Sequence, residues 1–279
     1  MTTTRTLALK DVPRRRRPSL EPVWRREPRK LTSLLISVGS AVALIAVWAW
    51  VTRPGGAISP LFLPSPGDVW DAAVRLIERP YLGSTLGGHI VSSLTTVIAG
   101  WLLAAAVGIP LGVWIGWSRK ARWTVYPIFQ LLRPIPPIAW IPLALVWFGI
   151  GDPSRVFVVF VSAIVPWTLN SIHAVTSVEP TLVNAARVLG APPLTILGRV
   201  VIPTAMATLL AGGQIAMGNA WTTVIAAELL GALSGLGYVA LNSSRTLDTD
   251  ILLVSMITIG LIGALLSALM KLLTPGGRR

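Results

Sequence analysis

Five stretches of this chain run for 20 residues or more without Asp, Glu, Lys or Arg, and that pattern dictates a membrane-spanning helical protein. A helix needs about 20 consecutive apolar residues to cross the hydrocarbon core of a bilayer. Leu31–Thr52 supplies 22, Val156–Val178 supplies 23 and Ile251–Met270 supplies 20. Pro80–Ser118 is longer, with its apolar part from about Ile90 to Trp117, and the uncharged run Val200–Ala227 continues hydrophobically past Glu228 to about Leu233. A further region, Trp123–Leu132 and Pro134–Gly151, is interrupted only by Arg133. The expectation is an all-α integral membrane protein of about six transmembrane helices. Composition agrees: 53% of residues are hydrophobic and 13% charged, whereas a soluble domain carries about a quarter charged residues.

Lys and Arg placement orients the helices. With the N-terminus inside, 18 basic residues face the cytoplasm, 5 face outward (Arg155 among them), and Arg133 lies within the membrane. By the positive-inside rule both termini are cytoplasmic, in a bacterial inner membrane. The net charge of +13 is thereby explained by topology and the lipid bilayer rather than by nucleic acid. Residues 1–30 hold Arg14–Arg17 among several prolines and lack apolar periodicity; they are expected to form a disordered, headgroup-binding cytoplasmic tail. Residues 31–60 form an anchor and outer linker, 61–273 the core, and 274–279 a second cytoplasmic tail. Trp48, Trp50, Trp101, Trp114, Trp117 and Trp123 mostly fall near span ends, as interfacial anchors do.

Ser65 followed by Pro66 marks a helix start, after which Val69, Trp70, Ala73, Val74 and Ile77 share one face. This reads as a short amphipathic helix on the outer membrane face. Gly108, Gly112 and Gly116, and likewise Gly212, Ala216 and Ala220, recur every four residues. Such spacing lets helices approach closely, either within one subunit or between two.

Two charges lie at membrane depth. Glu228 either pairs structurally, with Arg133 or with helix backbone, or lines a passage. Arg133 adjoins Pro134, Pro136 and Pro137, where a helix must break; it either snorkels to the cytoplasmic surface or lines a water-filled path. Trp140, Trp147 and Phe148 face either that path or lipid. The possible pathway set is therefore Arg133, Pro134, Pro136, Pro137, Trp140 and Glu228.

The cytoplasmic stretch from Ser177 to Pro203 is the most informative. Pro180 suits a first helical turn, Gly190 a C-cap, and Pro192-Pro193 stops continuation. The resulting helix, about 179–190, is too short to span and too short to be stable alone. It needs something to dock into. Asn184-Ala185-Ala186, three residues, Gly190, nine residues, then Val200-x-Ile202-Pro203 resembles the loop Glu-Ala-Ala-x3-Gly-x9-Ile-x-Leu-Pro of binding-protein-dependent ABC importer permeases. Asn184 replaces the family glutamate. Leu63-Pro64-Ser65-Pro66, Leu132–Pro137, Trp147–Gly151, Ala226–Ala232 and Gly235-Leu236-Gly237 are similar to the branch handling sulfonates, taurine and nitrate.

The resemblance implies a type I permease fold and a homodimer on two cytoplasmic ATP-binding subunits, served by an extracytoplasmic substrate-binding protein. It further implies that Asn184, Ala185, Ala186, Gly190 and Pro203 couple to the ATPase, and that a small anion is imported. The chain itself has no phosphate-binding loop, since none of its four lysines follows a glycine. It is expected not to be an enzyme, with ATP hydrolysis on a partner chain. With no cysteine and only His89 and His173, neither a metal site nor a cofactor is expected. The alternative class is an ion-coupled secondary transporter acting without an ATPase, which calls for midplane relays and internal repeats.

Overall fold

A computed structural model describes residues 30–53, 55 and 58–273; the basic tail 1–29 and the tail 274–279 lie outside them. Eleven helices are described: α1 (Lys30–Val51), α2 (Pro66–Glu78), α3 (Leu86–Trp117), α4 (Arg119–Leu132), α5 (Ile141–Phe148), α6 (Asp152–Thr176), α7 (Pro180–Val188), α8 (Pro193–Ile196), α9 (Ile202–Gly231), α10 (Leu236–Thr246) and α11 (Thr249–Leu273). A 3₁₀ turn, Pro137–Trp140, leads into α5, and a π-helical turn, Leu197–Val201, joins α8 to α9. Among the described residues the only β pairing is one bridge between Tyr81 and Ser84.

Four helical segments are long and apolar enough to cross a bilayer: α3, α6, Pro193–Gly231 and α11. α4 and Pro137–Phe148 are together long and apolar enough for a fifth, and are bent by 84° into a broken span or a re-entrant loop. The break follows Arg133: Pro134 and Pro136 remove backbone donors, and Pro136, which precedes Pro137, is extended at φ −58°, ψ 136°. The remaining apolar stretch of the sequence appears as the shorter helix Leu35–Val51 within α1.

α2 begins with the expected cap. Ser65 Oγ accepts from the Asp68 N–H at 3.2 Å, and the Asp68 carboxylate accepts from the Ser65 N–H at 3.0 Å. The Ser65 hydroxyl, which donates to Asp68 Oδ2 at 2.8 Å, and then the Ser65 N–H hold the Asp68 carboxyl below the usual carboxylate range. The face turned into the protein is Val69, Ala72 and Leu76. Trp70 and Ile77, expected beside Val69, stay exposed. They sit one residue on from that stripe, so the apolar arc is shared between protein and surroundings.

α6 packs between α3 and α9, and the packing is made by residues that lack side chains. Gly100, Ala104, Gly108, Gly112 and Gly116 form a buried stripe on α3. A Cβ at Gly112 would stand 2.4 Å from Thr168 O and 2.5 Å from Ser171 Cβ; one at Gly100 would stand 2.6 Å from Val159 Cγ1. On α9, a Cβ at Gly212 would meet Asn170 Cβ at 2.4 Å, and one at Gly213 the Trp167 ring at 2.5 Å. The four-residue spacing thus serves packing inside the subunit. Trp101 belongs to the same contact: its ring lies 5.4 Å from that of Trp167, and its Nε1–H donates to Gly213 O at 3.0 Å. It is an internal strut rather than an interfacial anchor.

A buried polar node closes the end of the bundle that holds the N-termini of α3 and α6. Glu228 near the end of α9 accepts from Ser93 Oγ at 2.7 Å and from the Gly237 N–H at 2.9 Å, with Arg155 Nη1 at 3.6 Å. Arg155 also donates to Ser234 O at 2.9 Å and pairs with Asp152. Ser93 accepts from the Leu236 N–H at 3.0 Å. His89 Nδ1 accepts from the Gly235 N–H at 3.2 Å, so Nε2 carries the proton and donates to Tyr81 O at 2.9 Å. Gly235 has φ +116°, and a Cβ there would lie 2.3 Å from the Glu228 carboxyl carbon. The ionic partner of Glu228 is therefore Arg155, not Arg133. Arg155 is 3% exposed, so it is not the outward-facing surface charge assumed from the sequence.

Two stability predictions follow from these contacts. Gly112→Ala should lower stability in detergent micelles by about 1–3 kcal/mol through overpacking. Gly260→Ala on α11, where a Cβ meets nothing within 4 Å, should be nearly neutral; equal thermal shifts for the two would contradict the close α3–α6 approach. Arg155→Gln should cost about 3 kcal/mol or more, because it leaves the buried Glu228 charge without its ionic partner; Glu228→Gln should cost less, because Arg155 keeps its pair with Asp152. The double variant should lose at least about 1 kcal/mol less than the two singles added together. Strict additivity in a thermal-melt cycle would show the two charges to be independent.

Candidate functional site

Two regions flank or line the middle of α6. At its C-terminal end, α7 is held against the core by Val183 and Ala186, which pack on Val175, Ile196 and Val201. The helix ends as the sequence foretold. Gly190 takes φ +81°, its N–H donates to Arg187 O at 2.9 Å, and the Ala191 N–H reaches back to Ala186 O at 3.1 Å. This pair of bonds is the Schellman termination, which satisfies two end carbonyls and turns the chain sharply. Pro192 and Pro193 then start α8 in a new direction.

The turn leaves an apolar surface uncovered. Val188, Leu189 and Leu194 are 88%, 86% and 80% exposed. Asn184 and Ala185 are exposed beside them, Ala186 is half-buried, and Pro203 is exposed at the start of α9. The structure thus brings Asn184, Ala185, Ala186 and Gly190 into one protruding element. Leu194, not singled out from the sequence, joins it through α8. Its signal was present as an apolar residue directly after two prolines.

The second region is a cavity of about 500 Å³ between the end of α4, the break that follows it, α6, Leu111 of α3 and Asn219 of α9. Arg133, Pro137 and Trp140 line it, with Phe157, Ser162 and Asn219 on the opposite elements. Pro134 and Pro136 make the break that places Arg133 there without lining the cavity themselves. Trp140 packs edge-on to Phe157 at 6.4 Å, and Trp147 and Phe148 stack on the same ring at 5.7 and 5.2 Å. Those two rings buttress the wall rather than form it. Among the described residues the Arg133 guanidinium has no ion pair or hydrogen bond. Glu228 lies outside this cavity, within the closed node. Asn219 and Ser162 were not picked out from the sequence, because a neutral polar residue in an apolar run carries no charge signal.

The node and α7 sit at opposite ends of α6, about 37 Å apart for a 25-residue helix, with the cavity along residues 157–165 between them. One helix therefore links a closed polar end, a lined chamber and a protruding apolar foot.

Comparison with known proteins agrees with this geometry. Residues 108–278 match the family described as binding-protein-dependent transport system inner membrane component. The chain is 39% identical over 242 residues to a probable ABC transporter permease protein of Brucella melitensis, covering 87% of this chain and 95% of that one. It is 35% identical over 245 residues to the taurine transport system permease protein TauC of Escherichia coli K12, covering 86% and 89%. It is 30% identical over 258 residues to the bicarbonate transport system permease protein CmpB of Synechococcus elongatus, covering 90% of each. In fold it resembles the inward-facing MetNI methionine ABC transporter, with a TM-score of 0.61 at 21% identity, over 67% of this chain and 94% of that one. The chain belongs to the binding-protein-dependent transport system inner membrane component family, as a multi-pass transport permease.

Proposed function

We propose that this chain forms the translocation pathway of an ATP-driven importer of a small anion of the sulfonate, taurine, nitrate or bicarbonate kind. It works as a homodimer, docked on two cytoplasmic ATP-binding subunits and supplied by an extracytoplasmic binding protein. The observation that carries this reading is α7: a short helix, terminated by Gly190, that projects Val188, Leu189 and Leu194 into the surroundings. Aliphatic side chains this exposed at the end of a membrane bundle are buried by a partner. The matching loop of the family docks into an ATPase groove. Closure of the ATPase pair would shift α7, and with it α6 and α9, turning the chamber from one side of the membrane to the other.

Arg133, Pro134, Pro136, Pro137 and Trp140 are proposed to build the pathway. Glu228 is a positioning residue in this reading, since its carboxylate is engaged by Ser93, Gly237 and Arg155. An ion-coupled carrier acting alone has less support: the described residues offer no free carboxylate at midspan to relay a proton.

Gly190→Val forces a β-branched residue into the left-handed region, at about 1 kcal/mol or more. It should insert normally yet lose ATPase co-purification or substrate-stimulated ATP hydrolysis in the reconstituted complex. Full coupled activity would remove α7 as the coupling element. Arg133→Gln should cut taurine uptake into proteoliposomes at least tenfold, roughly the loss of one charge-assisted bond. Arg133→Lys should fall between, retaining the charge without the planar fork. Normal uptake in Arg133→Gln would return Arg133 to a snorkelling role.

A further inference from the structure

We infer that Asn219, together with Arg133, forms a recognition site for a small monovalent oxyanion within the α4–α6–α9 cavity; this rests on the importer reading above. Asn219 is the eighteenth of the 30 residues of α9 and lies within the apolar segment Pro193–Gly231. Asn219 and Arg133 are both exposed in the single chain, and at membrane depth lipid offers a primary amide no partner. Among the described residues its side chain makes no hydrogen bond, yet it lines the same cavity as the unpaired Arg133 guanidinium.

The neighbouring polar groups are already committed. Thr223 Oγ1 donates to Ser162 Oγ at 2.7 Å, and Ser162 Oγ donates to Asn219 O at 3.3 Å. Thr222 Oγ1 bonds back to Gly218 O and Asn219 O. These bonds fasten α9 to α6 through the Asn219 backbone and leave its amide as the free polar group of that wall. Gly218 beside it has nothing within 4 Å of a built Cβ, so the approach is open.

The chemistry of the pair selects the ligand. One guanidinium supplies one positive charge, which balances a monoanion. The amide adds neutral N–H donors and no second charge. Trp140 and Phe157 form an apolar wall suited to a short carbon stub. A cavity of about 500 Å³ is within the usual range for small-molecule sites. The occupant is thus a sulfonate, carboxylate or bicarbonate-like anion, rather than a lipid chain or a second copy of α9.

The chain has no cysteine, so a single introduced thiol reports its own surroundings. In the assembled complex in proteoliposomes, Asn219→Cys should react with sulfonatoethyl methanethiosulfonate about tenfold faster than with its trimethylammonium counterpart, as attraction by a nearby cation in a partly desolvated site requires. Ethanesulfonate should slow the reaction, and adding Arg133→Gln should erase the preference. Val161→Cys, half-buried on the α6 wall of the same cavity, should show the same preference, which keeps the test alive if Asn219→Cys assembles poorly. Met256→Cys, exposed on α11, should stay unreactive as a lipid-facing control. A thiol at position 219 as inert as that control would mean that lipid or a second subunit fills the cavity, and equal rates for the two reagents would remove the anion site. Charge-selective labelling in a complex that ignores Gly190→Val would instead retain the site and discard ATPase coupling through α7.

Discussion

The contact on which the rest depends is the side-chain-free approach of α3 to α6. In a bilayer, apolar side chains gain nothing by leaving lipid for one another, so helices associate through close backbone packing and internal polar bonds. The stripe Gly100, Ala104, Gly108, Gly112, Gly116 brings α3 so near that Thr168 O would lie 2.4 Å from any Cβ at Gly112. Gly212 and Gly213 do the same for α9. α6 becomes the buried axis of the described core, with both functional regions mounted on it.

Against that axis the remaining parts divide by how their backbone is satisfied. The α9–α10 turn carries several N–H groups into the interior, and His89, Ser93 and Glu228 accept from them one by one. Glu228 is thereby made structural, and Arg155 balances it. The break at Arg133–Pro136 is the opposite case: its prolines give up donors, and the space they open remains a cavity. A closed polar end and an open middle are different answers to the same shortage of water.

The same logic explains the protruding foot. α7 spends only Val183 and Ala186 on its own subunit. The Schellman bonds at Gly190 fix where Leu189 points, and Pro192-Pro193 sends Leu194 back alongside. In the proposed importer, displacement of α7 would act on the C-terminal end of α6, one helix length from the node and half a length from the cavity.

The sequence by itself determined the helical spans, the broken fifth span at Arg133–Pro136, the capped α2 and the α7–Gly190 element. These follow from local rules: charge-free length, proline geometry, and the left-handed preference of glycine. Gly190 was legible for that reason, whereas Asn184, Ala185 and Ala186 were singled out by the resemblance to the family loop. Partners across the fold were not. The pairing of Glu228 with Arg155, 73 residues away, the use of the glycine stripe inside the subunit, and the meeting of Arg133 with Asn219 in one cavity were decided only by the tertiary structure. Spacing along a helix tells which residues share a face, but which helix meets that face depends on how the spans pack. A neutral amide such as Asn219 acquires its meaning only when the packing leaves it without a partner.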